Sequence, residues 1–121
     1  MPLEVSDGAD ADAIRLQVES LQGNGWDLVD NNMLKKTYCF ATYTKVMDFH
    51  TVIGVRSKST NHHPTMTTDY NSLTVQWTTH EPRGLSEKDI KMAKYSDEVA
   101  SEIKTVDPSQ APRCGSRRSG L

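Results

Sequence analysis

The sequence predicts an α+β domain in the order α-β-β-α-β-β-α, with a four-stranded antiparallel sheet and helices packed on one face. Three observations predict it. Three segments carry apolar residues at helical spacing, four short runs carry strand patterning, and the strands come in pairs separated by a helix. A chain of 121 residues suits one such domain with a modest core.

Residues 1–9 are small, acidic and glycine-containing, and are expected to form a flexible N-terminus. The first helix is predicted over residues 10–22. Ile14, Val18 and Leu21 recur on one face, and Asp10 or Asp12 caps the start. Gly23, Asn24 and Gly25 end it. Residues 26–29 read as a short strand, Asp30, Asn31 and Asn32 as a turn, and residues 33–42 as a second strand with Leu34, Tyr38 and Phe40 on one face. These two strands form a hairpin.

The second helix is predicted over residues 44–59, capped by Thr44, with Val46, Phe49 and Ile53 as its stripe. Met47, Val52 and Val55 lie partly off that stripe. Such a surplus suits a second packing partner, for instance another subunit, or a helix buried more deeply than usual. His50 rides on this helix as a structural or exposed residue. Residues 66–70 form a weak strand, Asn71-Ser72 a turn, and residues 73–79 a strong strand. In the strong strand Leu73, Val75 and Trp77 point inward, and Thr74, Gln76 and Thr78 outward.

Ser86-Glu87-Lys88-Asp89 is a capping-box start for the third helix, continued by Ile90, Ala93, Val99, Ala100 and Ile103. Asp89 has an ordinary role there, as a first-turn acid favoured by the helix dipole. The packed domain is therefore bounded at residues 10–104. Residues 105–121 carry prolines, glycines, serines and arginines without periodicity and are expected to be a disordered tail. An open sheet also leaves edges, one of which suits pairing with a second subunit.

Composition excludes several classes. Hydrophobic residues are 36% and charged residues 25%, which suits a soluble globular domain. A formal net charge of -2 supplies no basic field to draw the chain to nucleic acid or acidic lipid. No apolar run approaches the ~20 residues that span a bilayer. The N-terminus lacks the basic segment and apolar core of a signal peptide, so the cytoplasm, or also the nucleus, is the expected compartment. Cys39 and Cys114 are too few for a disulfide framework and read as reduced thiols.

Chemistry concentrates in residues 61–80, which hold three of the four histidines. Imidazole exchanges its proton near neutral pH and so suits acid/base work. His62 and His63 stand before Pro64, which pushes His63 out of helical geometry. His80 closes an alternating run and is followed by Glu81-Pro82-Arg83-Gly84. Taken singly, a His-His-Pro triplet is most often a polar loop, and a histidine at a strand end is most often solvated. Taken together, at the ends of elements, they favour a site. On a regular strand His62 and His63 would point to opposite faces, so convergence needs irregular backbone. No phosphate-cradling glycine loop, Cys-x-x-Cys or Ser/His/Asp arrangement accompanies them.

The runs Asn61-His62-His63-Pro64, Tyr70-Asn71, Thr78-Thr79-His80-Glu81 and Gly84-Leu85-Ser86-Glu87-Lys88-Asp89-Ile90 resemble those of the pterin-4a-carbinolamine dehydratases. With Gly25-Trp26 and the helix from Thr44, the resemblance covers roughly residues 10–103. It implies the same α-β-β-α-β-β-α fold and assembly as a homodimer or homotetramer. It implies a lyase that dehydrates 4a-hydroxytetrahydropterin to quinonoid dihydropterin, in recycling of the tetrahydrobiopterin used by aromatic amino acid hydroxylases. No cofactor or metal is expected.

The resemblance further implies His62, His63 and His80 as catalytic residues, with Asn61, Pro64, Thr78 and Thr79 joining them in contact with the pterin. His62 and His80 are expected to trade protons with substrate, and His63 to orient it. Lys58, Asp89 and Trp26 are candidates to support the histidines from behind. Many members carry an acid where this chain has Asn61, and often another where it has Lys58; an aromatic often follows the proline closely, where Met66 and Thr67 stand here. These departures bear on imidazole orientation and on the apolar wall of the site. Two other classes remain. Some members are dimerisation cofactors of a homeodomain transcription factor through the second helix, which makes a binding module the alternative function. Three histidines also suit zinc, a reading that elemental analysis tests.

Overall fold

The computed structural model describes residues 3–107, so Cys114 and residues 108–121 of the expected tail lie outside the described residues. The predicted order holds. Helix α1 (Ala11–Gly23) precedes β1 (Asp27–Val29) and β2 (Met33–Cys39), and α2 (Tyr43–Thr60) precedes β3 (Thr65–Thr68) and β4 (Ser72–Trp77). Two short strands, β5 (Thr79–His80) and β6 (Arg83–Gly84), lead into α3 (Glu87–Ile103). The main sheet is antiparallel with strand order β1-β2-β4-β3.

Register explains why the helices cover one face. Leu34, Lys36 and Tyr38 of β2 lie opposite Trp77, Val75 and Leu73 of β4, and residues paired across a ladder share a face. That face meets Ile14, Val18 and Leu21 of α1, Val46, Phe49 and Ile53 of α2, and Ile90, Ala93, Val99 and Ala100 of α3 in one core. The alternate residues Thr37 and Thr74 join hydroxyls at 2.7 Å on the other face. The three helical stripes are thus those that 3.6-residue periodicity selects.

Caps set the helix starts. The Asp10 carboxylate accepts the N–H groups of Asp12 and Ala13 at 3.1 and 3.2 Å. Helix α2 is capped by Thr42, whose hydroxyl accepts from the Lys45 N–H at 3.2 Å, and not by Thr44 as expected. Either threonine satisfies the sequence pattern, but only Thr42 has the extended backbone of a cap. Asn61 ends α2 in the left-handed conformation that asparagine tolerates.

Two further expectations need correction. The strand expected to run to Thr79 ends at Trp77. Thr78 turns out of the ladder, with its hydroxyl bonded to the Asn32 carbonyl at 2.5 Å, and Thr79-His80 then pairs with Arg83-Gly84 as a separate hairpin. Within the segment expected to be a flexible N-terminus, Glu4 and Ser6 bond through their backbones to Asn31 and Leu85. Cys39 is disulfide-bonded and not a reduced thiol. It sits buried at the end of β2, where the chain leaving α3 passes close enough for the Val106 N–H to reach its carbonyl at 2.9 Å. That same bond holds the start of the segment expected to be a free tail.

Among the described residues, no helix is long and apolar enough to cross a membrane.

Candidate active site

The three clustered histidines arrive at one pocket from two directions. Helix α2 stops at Thr60, Asn61 reverses the chain, and the extended stretch before β3 delivers His62 and His63. From the other side the β5–β6 hairpin delivers His80. A cavity of about 260 Å³ results, lined by Asn61, His62, His63, Thr79, His80, Glu81 and Lys88.

His62 is the fixed member. It is 9% exposed, and its ring stacks on Trp77 with centroids 5.7 Å apart and planes 14° apart. Its Nε2 lies 2.6 Å from Oδ1 of Asp89, which is fully buried. The other Asp89 oxygen accepts the Thr79 hydroxyl at 2.7 Å and the Ser86 N–H at 3.0 Å. The Thr79 and Ser86 hydroxyls are themselves 2.6 Å apart. A buried carboxylate needs such donors, because desolvation of an unpaired charge is costly. Asp89 therefore does two jobs. It closes the first turn of α3 and it fixes one nitrogen of His62.

His63 and His80 are exposed and face each other, with ring centroids 6.2 Å apart and planes 30° apart. Adjacent histidines on a strand would diverge. Here the backbone between the helix end and β3 sends His62 inward and leaves His63 at the pocket mouth.

The other residues nominated from sequence divide. Asn61 and Thr79 line the pocket, and Asp89 stands directly behind it. Pro64 is half-buried at the entry to β3, and Thr78 spends its hydroxyl on Asn32. Lys58 is exposed on the last turn of α2. Trp26 belongs to a different cluster. Its indole N–H donates to Asp97 at 3.1 Å, beside the Tyr38 hydroxyl at 2.6 Å and the Lys36 ammonium at 2.8 Å on the same carboxylate. Sequence reasoning did not nominate Glu81, Lys88 or Ser86. The available signal was position: Glu81 follows His80 directly, and Ser86 and Lys88 share the first turn with Asp89.

Comparisons with known proteins point to one family. The family model for pterin 4 alpha carbinolamine dehydratase matches residues 8–99. A Burkholderia pseudomallei protein named for pterin-4-alpha-carbinolamine dehydratase is 33% identical over 93 residues, covering 76% of this chain and 90% of its own. A Herpetosiphon aurantiacus protein of the same name is 34% identical over 84 residues, covering 69% and 86%. The crystal structure of a transcriptional coactivator/pterin dehydratase from Brucella melitensis superposes with a TM-score of 0.67 at 25% identity, over 75% of this chain and 96% of that one. A pterin dehydratase-like RuBisCO assembly factor of the alpha-carboxysome shares the fold at a TM-score of 0.56 and 20% identity, over 63% and 89%.

Proposed function

Because the chain belongs to the pterin 4 alpha carbinolamine dehydratase family, we propose that it is a lyase that dehydrates 4a-hydroxytetrahydropterin to quinonoid dihydropterin. The observation that carries this reading is the buried Asp89–His62 contact beneath the facing rings of His63 and His80. A carboxylate on one imidazole nitrogen fixes the ring and leaves the other nitrogen to exchange a proton.

The reaction breaks the C4a–O bond and removes the proton from N5. The electron pair of the N5–H bond forms the C4a–N5 double bond, and the hydroxyl leaves as water. One imidazolium donates the proton that water needs, and one neutral imidazole takes the proton from N5. His62 fills one of these roles through Nδ1, since Nε2 is held by Asp89. His80 fills the other from the opposite wall. His63 stacks beside His80 and orients the flat pterin ring, while Asn61 and Thr79 supply polar contacts at the pocket edge. Recycling of tetrahydrobiopterin is the metabolic role that fits this chemistry.

Stopped-flow absorbance tests the proposal. Purified protein should accelerate loss of the 4a-hydroxytetrahydropterin signal well beyond the spontaneous rate. Decay at the spontaneous rate would reject it.

A second role is favoured by one observation. Val52 and Val55 are three residues apart on α2 and are 37% and 63% exposed. An apolar face of this kind suits a second copy of the chain or a transcription-factor partner. Native mass spectrometry with a pulldown separates the two.

A further inference from the structure

His80 stands on a weak foundation. Strands β5 and β6 have two residues each, and an isolated two-stranded hairpin is marginally stable in water. Something must hold it. Residues 3–6 do so from the opposite end of the chain. The Leu85 N–H donates to the Glu4 carbonyl at 3.0 Å, and the Ser6 N–H donates to the Leu85 carbonyl at 2.8 Å. These bonds form a parallel bridge between Val5 and Leu85, directly after β6. The buried Ser6 hydroxyl donates to the Pro82 carbonyl at 2.6 Å, inside the turn between His80 and Arg83. The Glu4 N–H donates to Asn31, and the Asn32 amide donates to the Glu4 carboxylate at 2.7 Å, which ties the strap to the β1–β2 turn.

Gly84 records how close the strap lies. Its φ is +122°, and a Cβ there would sit 2.7 Å from the Ser6 nitrogen and the Val5 carbonyl carbon. Only glycine permits that approach. Gly84 is also the ladder partner of Thr79, one residue before His80, and Thr79 in turn holds Asp89. One set of contacts therefore runs from Ser6 and Gly84 to His80, and a branch runs to the carboxylate behind His62.

We infer that residues 3–6 are a positioning strap for the active site, with Ser6 and Gly84 setting the place of the His80 ring. This rests on the dehydratase reading for its kinetic consequence but not for its geometric one. Among the described residues the hydrogen bonds of the strap go to Pro82, Leu85 and the β1–β2 turn and not to a histidine ring, so Ser6 and Gly84 act through the hairpin.

The experiment uses the full chain with ¹³C-labelled histidine and compares wild type, Ser6→Ala and Gly84→Ala. Imidazole NMR signals of His80 and His63 should shift or broaden in Ser6→Ala, while that of His50 on α2 stays in place. The kcat for the 4a-hydroxytetrahydropterin should fall about tenfold with KM within about twofold, less than the ~10²–10⁴ lost with an acid or base itself. In a His80→Ala background, Ser6→Ala should cost little further in kcat, because the group it positions is gone. A purely structural role would lower kcat equally in both backgrounds. Gly84→Ala should show the same pattern more strongly; if it does not fold, Ser6→Ala decides. Unmoved His80 signals in folded Ser6→Ala would overturn the strap. A wild type without turnover would reject the dehydratase reading, and the NMR comparison would still decide the strap.

Discussion

Oδ1 of Asp89 lies 2.6 Å from Nε2 of His62, and neither residue has more than 9% of its surface exposed. The pair joins the start of α3 to the segment after α2, so a residue of the helix cap also fixes one nitrogen of the ring proposed to exchange protons. Asp89→Asn keeps the shape and removes the charge. Loss of such an orienting partner costs about 10–100-fold. We expect kcat to drop by about that much, with the protein still folded by circular dichroism. Wild-type kcat in Asp89→Asn would show that the contact serves stability alone.

Asp97 offers the contrast. It receives Trp26, Lys36 and Tyr38, far along α3 from the histidine pocket. Asp97→Ala strands a buried phenol and an indole N–H, and each lost charged hydrogen bond is worth roughly 1.5–3 kcal/mol. Partial exposure of Asp97 lowers the ion-pair share of that figure. The thermal midpoint should fall by several degrees while the remaining folded protein keeps its kcat. A loss of kcat without loss of stability would place Asp97 in the reaction.

Tyr38 gives a pH test. Burial first, and then its bond to Asp97, push its phenol well above the ordinary range. A phenol raised in the folded state contributes stability below its unfolded value near ~10 and loses it as the pH rises past that value. Spectrophotometric titration should therefore find fewer than four tyrosines ionising around pH 10 in the folded protein, with the remainder appearing as it unfolds. Four equivalent phenols in a still-folded protein would contradict this.

The elements with one dominant local cause were legible in the sequence. Ile14, Val18 and Leu21, or Val46, Phe49 and Ile53, are separated by turns of helix, and burial of that stripe overrides everything else. Legibility failed where distant segments decide. Thr78 leaves β4 because the Asn32 carbonyl is waiting for its hydroxyl, and no pattern near Thr78 announces Asn32. The strap is invisible for the same reason: Ser6 and Pro82 are 76 positions apart. At the site, the histidines were found from composition and punctuation. Asp89 was found only as a helix cap with a candidate supporting role, since its second partner comes from another element. Trp26 was drawn toward the site by motif, but its indole nitrogen needed an acceptor and found Asp97.

Strand β3 is an edge of the sheet, and its Thr65, Thr67 and Thr68 are exposed. Edge strands pair readily, and charge on them blunts pairing. Sedimentation velocity should show a homo-oligomer for the wild type and a smaller species for Thr65→Lys with Thr67→Lys. An unchanged mass in the folded double variant would move the interface elsewhere, with the Val52 and Val55 face of α2 next in order.

The histidines should not respond alike. His62 and His80 are assigned proton transfer, and loss of one acid or base costs roughly 10²–10⁴ in rate, or about 3–5 kcal/mol of barrier. His62→Ala and His80→Ala should therefore lower kcat strongly with modest change in KM. His62→Ala should also cost stability, because it leaves buried Asp89 without one partner and removes a ring from the face of Trp77. His80→Ala should not, since that ring is exposed. His63→Ala should raise KM at least as much as it lowers kcat, because an orienting contact already acts in the ground state. His50→Ala on α2 is the control and should leave kcat unchanged. The losses at His62 and His80 need not add, since one imidazole can partly take over from the other. Each variant is checked by circular dichroism and native mass before its kinetics are read. If folded His62→Ala and His80→Ala both turn over the 4a-hydroxypterin at the wild-type rate, proton transfer by these rings is wrong for this protein.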